Sequence, residues 1–363
     1  MRYIGNKTRL LPFVLGTIRR LAIEPGIAHD AFAGTAAVGR ALKGAGWSVV
    51  SSDIMTYSYV FQRAYVVASG ATGLRRLKAA ESAIRSAALA SGDGAMGELT
   101  AVGAFLATGV EPSDGFITRH FAPAGGRMYF TDDNARRIDA ARHALHRWRT
   151  AGLLDDDAYY LLLAAVIEGA DRVANTAGVY AAYIKKWQPN ALRPVSIVPE
   201  SPLPGVGSSA NLADAVDVAR RIGEIDLLYL DPPYNSRQYS GYYHVPEILA
   251  RGWFDEPIAL RGKTGLPSAV AQRSEWCTRV GAPRALRELL AATGARHVLV
   301  SYNSEGVIPD RELRAILADA AVDGRVRRFT RRYRRYRADS DHAKRRYRGD
   351  TVRELLYYAR LRK

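Results

Sequence analysis

Hydrophobic positions along this chain recur at two different spacings, and the change of spacing marks out its regions. Leu10, Leu11, Val14, Leu15, Ile18 and Leu21 fall three and four apart and predict an amphipathic helix. Ile27-Ala28-His29-Asp30 then reads as a strand, Ala31 to Ala36 as a turn of small residues, and Ala37-Val38-Gly39-Arg40 as the start of a helix. Trp47-Ser48-Val49-Val50-Ser51-Ser52-Asp53 gives a second strand ending in an acid. From about 71 to 195 the strand rhythm is replaced by Ala-rich helical stretches at Ala79 to Ala90, Asn134 to Trp148 and Asp157 to Val173, joined by Gly-rich loops at Ser91 to Gly97 and Pro123 to Gly126. Thr131-Asp132-Asp133 supplies a start signal for the second of these helices and Gly152 an end signal. Strands return with the apolar run Leu227 to Leu230, which stops abruptly at Asp231-Pro232-Pro233-Tyr234-Asn235. They continue with Arg296 to Ser301 and with two tail strands, Val326 to Tyr336 and Val352 to Leu361, around a basic turn.

Composition sharpens this outline. At 363 residues, 48% hydrophobic and 24% charged, the chain suits a globular protein of two domains rather than a disordered one. Its most apolar run, Tyr159 to Ile167, is far shorter than the roughly 20 residues of a membrane span. Met1 to Lys7 carries no signal-peptide core, so no membrane association and a cytoplasmic address are expected. A single cysteine, Cys277, excludes an internal disulfide, and the seven histidines show no close ligand pairing, so chemistry without a metal is expected. The net charge of +16 favours a polyanionic partner. It is concentrated in the tail, where Arg325 to Arg348 holds twelve basic residues and two acids, with Phe329, Tyr333, Tyr336 and Tyr347 interleaved. Arg334 and Arg335 lie at the centre of that patch and are candidate phosphate contacts, unless the segment is simply a solvated basic hairpin.

Candidate chemistry centres on Asp231. A short apolar strand buried on both faces would deliver this acid to the carboxyl edge of a parallel sheet, where α/β folds bind ligands. Pro232 and Pro233 lack N–H groups and restrict φ, which keeps the carbonyls of Asp231 and Pro232 available as acceptors. Tyr234 adds a flat stacking surface. Together they suit a planar group bearing an exocyclic amine, such as a nucleobase. Upstream, the strand and turn around Asp30, with Asp53 some twenty residues on, has the layout of a nucleotide site. A dinucleotide fingerprint would need a third glycine, whereas Gly34 and Gly39 are separated by Ala36.

The string Asp231-Pro-Pro-Tyr-Asn-Ser-Arg-Gln-Tyr239 resembles the DPPY motif of class alpha N6-adenine-specific DNA methyltransferases, in the M.FokI-like branch of that Dam-related family. Asp30, Phe32 and Gly34 match the family's Asp-x-Phe-x-Gly-x-Gly cofactor motif, with Ala36 departing from it. The resemblance implies a Rossmann-like α/β methyltransferase sheet formed by 1–70 and 196–363, with a helical target-recognition domain, 71–195, inserted before the DPPY strand. It implies that Asp231 and the Pro232 carbonyl hold the amine of a flipped adenine and that Tyr234 stacks on the base. S-adenosyl-L-methionine would be held by Tyr3 and Lys7 of the opening segment, by Asp30, Phe32, Gly34 and Asp53, and by Asp231. Asp214, in Asn211-Leu-Ala-Asp-Ala, is either a further cofactor contact or a helix cap. Asn235, Arg237, Tyr239 and Lys263 are expected to face duplex DNA. Lys263 lies in Gly262-Lys-Thr-Gly-Leu266, which lacks the first glycine and the preceding strand of a phosphate-binding loop. Arg127 to Asp139 and Ala174 to Tyr180 also look family-like. A partner restriction endonuclease acting on the same site would accompany such an enzyme. An RNA adenine or DNA cytosine amino-methyltransferase, a protein-glutamine methylase and an inactive nucleic-acid-binding protein stay open at this level.

Overall fold

Leu227, Leu228, Tyr229 and Leu230 are fully buried, which is why a run without polar alternation forms a strand here: both of its faces are covered. The structure is a computed structural model and describes residues 1–363 except 4, 6, 71–73, 92–93, 206, 269–271, 335–350 and 363. The chain divides into two compact units. One comprises Ile4–Gln62, Gly205–Tyr239 and Gln272–Lys363; the other comprises Met1–Tyr3, Arg63–Pro204 and Ser240–Ala271.

The first unit is built on a sheet whose strands, among the described residues, are β1 (Ile27–Asp30), β2 (Ser48–Asp53), β3 (Ser209–Leu212), β4 (Glu224–Leu230), β5 (Gly294–Asn303), β6 (Arg327–Arg334) and β7 (Thr351–Arg360). They lie in the order β3-β2-β1-β4-β5-β7-β6. The first five are parallel, and β7 is antiparallel to both of its neighbours. This is the Rossmann-like α/β sheet that the sequence leads one to expect. Leu228 and Leu230 of β4 join Val298 and Val300 of β5 in one core layer, covered by Leu286 and Leu289 of the helix Gly281–Ala292 and by Leu313 and Leu317 of the helix Asp310–Ala320. Strand order reverses between β1 and β4, the position where open α/β sheets leave a crevice at their carboxyl ends. Asp30 pairs with Tyr229, so β1 ends in Asp30 beside the point where β4 delivers Asp231.

The second unit is mainly helical. Its long helices, Asp132–Thr150 and Asp156–Val173, start at Thr131 and Asp155, whose side chains accept from the N–H of Asn134 and Ala158 at 3.2 and 2.7 Å. Gly152, at φ +65°, follows the first of them in the expected place. Residues 240–271, expected with the sheet, group with these helices. Arg142, 2% exposed, donates to the Leu249 carbonyl at 2.8 Å, and the rings of Phe121, Tyr129 and Tyr180 surround His244. No helix among the described residues is long and apolar enough to cross a membrane.

One local expectation fails, and one strand was not foreseen. The Gly-rich stretch Ser91 to Gly97 runs into the helix Gly94–Ala104, because Leu99, Val102 and Leu106 form a fully buried stripe whose burial outweighs the glycines. β3 carries no strand signal in its sequence, Ser-Ala-Asn-Leu, and forms as an edge through its ladder to β2.

Candidate active site at the carboxyl edge of the sheet

Asp30 is 1% exposed, and its Oδ2 accepts the Gly39 N–H at 2.9 Å. Gly39 belongs to the helix Ala37–Gly44, so the acid of β1 satisfies an otherwise unpaired donor in that helix's first turn. Between them the chain turns through Gly34 at φ +52° and Ala36 at φ +58°, both left-handed. The turn keeps the backbone shape that suits glycine although Ala36 stands in the second position, and Ala36 is fully buried. Asp53 clamps the same turn from β2: its Oδ2 accepts from Gly34 N and its Oδ1 from Met55 N, both at 2.9 Å. Phe32 meets Trp276 edge to face at 4.8 Å.

Asp231 is held differently. The Lys7 Nζ lies 3.0 Å from its Oδ1, and Lys7 is 3% exposed. The same ammonium lies 3.8 Å from Glu354 Oε2 and 5.7 Å from the centroid of the Tyr234 ring. Gly5, at φ +82°, lets the opening segment pass this ring, since a Cβ there would stand 2.8 Å from the Tyr234 hydroxyl. Beyond Tyr234, Asn235 Oδ1 accepts the Arg237 N–H at 3.0 Å, and Gln238 exchanges two hydrogen bonds with the Ser274 backbone at 2.8 and 3.0 Å. The Cys277 thiol, buried and pushed up to about 11 by burial, donates to the Arg237 carbonyl at 3.4 Å.

These groups make a site dominated by carboxylates. Burial, then the neighbouring Asp231 charge, raises Asp30 to about 7 despite the Gly39 hydrogen bond. Burial raises Asp231 to about 6, with Lys7 opposing it. Burial acts to discharge Lys7, but Asp231 and Glu354 more than offset it and hold the ammonium well above its usual range. A cationic ligand fits this donor set and a pyrophosphate does not: Lys7 is shared by Asp231 and Glu354, and the charges acting on Asp30 are those of two other acids, Asp231 and Asp53. An amine-bearing sulfonium such as S-adenosyl-L-methionine is that kind of ligand.

Lys7, Asp30, Phe32, Gly34, Asp53, Pro232, Pro233, Tyr234, Asn235, Arg237, Tyr239 and Asp231 itself all belong to the sheet unit. Asp214 caps the helix Ala215–Arg221, accepting from Val216 N at 2.9 Å. Tyr3 and Lys263 belong to the helical unit. Tyr3 stacks on Tyr243 at 4.6 Å, and Lys263 sits in a short hairpin turn whose Gly262 and Lys263 carbonyls accept from Arg127 at 3.1 and 3.0 Å. The stretches from Arg127 and from Ala174 meet there, with Asn175 N donating to the Tyr129 carbonyl at 2.8 Å and the Tyr129 hydroxyl to the Tyr180 carbonyl at 2.7 Å. Arg334 closes the edge strand β6, in which Arg327, Arg328, Arg331 and Arg332 are exposed, and Arg335 lies outside the described residues. Sequence reasoning missed Glu354, Trp276 and Gln238. For Glu354 the one available signal was a lone acid at the start of an apolar strand in an otherwise arginine-rich tail.

Among known proteins, the chain is 33% identical to type II methyltransferase M.NlaIII of Neisseria lactamica over 346 residues, covering 93% of each chain. It is 32% identical to modification methylase LlaI of Lactococcus lactis subsp. lactis and 30% identical to type II methyltransferase M.FokI of Planomicrobium okeanokoites. Both matches take in 99% of this chain but only 54% and 52% of the longer relatives. No solved structure matches it. The sequence model of the D12 class N6 adenine-specific DNA methyltransferases matches residues 3–315, and the chain belongs to that family.

Proposed function

We propose that this chain is the modification enzyme of a restriction–modification system, methylating the exocyclic N6 amine of an adenine within one duplex sequence, in the cytoplasm and alongside a cognate endonuclease. The observation that carries the reading is the placement of Asp231, followed by Pro-Pro-Tyr, at the strand-order reversal beside a buried Asp30. S-adenosyl-L-methionine, when bound, supplies an activated methyl group on its sulfonium. Asp30 would face its amine, Asp53 at the end of the second strand would meet the ribose hydroxyls, and Phe32 and Gly34 would shape the wall and floor.

The target amine is paired inside the duplex, so the base must leave the stack to reach Asp231. Tyr234 then offers a ring face to the purine, with the Lys7 ammonium 5.7 Å from the ring centroid. The Asp231 carboxylate and the Pro232 carbonyl accept the two N–H bonds of the amine. They draw its lone pair out of conjugation with the ring and aim it, so positioning supplies much of the acceleration. Asp231 need not be a strong base, because the amine becomes acidic once it carries the methyl group. Asn235, Arg237, Tyr239 and Lys263 are proposed DNA contacts, and Arg334 and Arg335 supply phosphate contacts that weaken steeply with salt. The helical unit is proposed to read the target sequence.

The test is expression in a host lacking DNA methylation, followed by sequencing that reports modified bases. N6-methyladenine at a single motif is expected, absent from a host carrying Asp231→Ala. No modified adenine from a protein that still binds S-adenosyl-L-methionine would overturn the reading.

A further inference from the structure

Glu354 lies beyond the family match, which ends at residue 315, and no part of the reaction outlined above uses it. It is the fourth residue of β7 and pairs with Asn303, the last residue of β5. Because β7 runs antiparallel to β5, its beginning reaches the same carboxyl edge as Asp231. Glu354 is 8% exposed, and its Oε2 has no hydrogen-bond partner, a costly state for a buried oxygen. The nearest cation is Lys7, whose Nζ stands 3.8 Å from Glu354 and 3.0 Å from Asp231. One buried ammonium therefore serves two carboxylates.

We propose that Glu354 is a positioning residue for methyl transfer: by sharing Lys7 with Asp231 it weakens the 3.0 Å Lys7–Asp231 ion pair, so that the target amine can take the place of the ammonium on the Asp231 carboxylate. This rests on reading Asp231 as the group that holds the adenine. A lysine paired with Asp231 alone would compete with the substrate for the same oxygens. A second acid on that lysine also leaves the cluster negative, which favours the cationic amine present just after methyl transfer. The groups that act on Asp231 are Lys7 from the opening segment, Glu354 from β7, Asp30 from β1 and Tyr229 from β4 itself, with the Tyr234 ring of its loop against Lys7. Among them Glu354 and Lys7 act on Asp231 in opposite directions, Glu354 raising its pKa and Lys7 lowering it.

The experiment compares the wild-type chain with Glu354→Gln and Glu354→Asp. In methyl transfer to duplex DNA, Glu354→Gln should lower kcat about tenfold with KM for DNA within about twofold. Its acid limb should move to lower pH by about one unit, the shift that a tenfold change in charge interaction represents. Glu354→Asp, which keeps the charge, should hold the acid limb at the wild-type pH. A merely structural role would lower thermal stability in both variants and leave the limb where it was. The second readout needs neither cofactor nor DNA. Carbon-13 spectra of the protein labelled at aspartate carboxyls should show a resonance titrating near pH 6 that is lost in Asp231→Asn, and its midpoint should fall in Glu354→Gln. An unmoved midpoint overturns the proposal. A wild-type protein inactive on DNA would instead defeat the adenine reading, while the carboxyl titration still decides the coupling of Glu354 to Asp231.

Discussion

Asp30 and Asp231 end adjacent parallel strands, yet the chain holds them in opposite ways. Asp30 is fixed by backbone: the N–H of Gly39 meets it from a helix only nine residues on, and the turn between is clamped by Asp53. Asp231 is fixed by charge, through Lys7 from the opening segment, which is itself shared with Glu354 from the last strand. A backbone donor cannot titrate or swing, so the first acid is rigid, as the proposed cofactor contact requires. A lysine shared between two acids can rebalance as a substrate amine arrives, which suits the proposed role of Asp231 in meeting a base drawn out of DNA. The comparison also separates two kinds of sensitivity. Around Asp30 small changes of backbone shape should matter, and around Asp231 changes of charge.

The largest effect is expected at the charged end of the comparison. Asp231→Ala should reduce methyl transfer by about a thousandfold, the scale seen when a group aimed at the reacting centre is removed. It should leave S-adenosyl-L-methionine affinity within a few fold, because Asp30 and its turn are untouched. In the wild type, activity should rise with pH through about 6, since only the ionised Asp231 offers both oxygens as acceptors and carries the charge that favours the developing cation. A pH-independent rate between 5 and 8 would show that the charge of Asp231 is not what holds the amine.

Asp30→Asn tests the rigid end and separates binding from folding. Cofactor affinity should fall at least tenfold in calorimetry, with the loss of the carboxylate that would face the amine. Stability should change in the other direction at alkaline pH. A carboxyl raised to about 7 favours the fold while protonated, so its contribution is complete below pH about 4 and is lost as pH rises through about 7. The amide keeps an acceptor for Gly39 and avoids the buried charge. Asp30→Asn should therefore be more stable than wild type at pH 8, on the order of 1–3 kcal/mol, and no more stable at pH 4. Melting curves showing equal stability at both pH values would mean that Asp30 is charged at little cost.

These two regions were also unequally legible in the sequence. The Asp30 site is local: strand, small-residue turn, helix and a second strand ending in Asp53 all fall within 27 to 53, so their order along the chain is nearly their order in space. The β4 strand and its Asp-Pro-Pro-Tyr loop were equally plain, because burial on both faces leaves an uninterrupted apolar run. What the sequence hid was assembly over distance. Glu354 reaches Lys7 only because β7 inserts between β5 and β6 and reverses direction, a fact of topology that no spacing records. The segment 240–271 carries no composition that distinguishes it from the sheet unit. Its place beside the helices rests on packing such as Arg142 against Leu249 and Phe254. Asp214 was ambiguous for a different reason, since an acid before a helix serves as a cap whether or not a ligand is nearby.

The smallest expected effect probes the turn itself. Ala36 holds φ +58° and ψ +18° at the start of the helix that presents Gly39 to Asp30. A left-handed alanine is strained by about 1–2 kcal/mol. Glycine would relieve that strain but would add conformational freedom to the unfolded chain, about 0.4–1 kcal/mol in the opposite sense. Ala36→Gly should thus stabilise the protein by about 0–1.6 kcal/mol in chemical denaturation, with cofactor affinity unchanged within twofold, because the turn already has its final shape. Ala36→Val should be far worse, since a β-branched side chain both resists positive φ and overfills a fully buried position. If Ala36→Gly instead destabilised the fold by more than about 1 kcal/mol, the alanine methyl would be contributing packing that exceeds its strain. The departure from the family's second glycine would then be an adaptation of this core rather than a tolerated change.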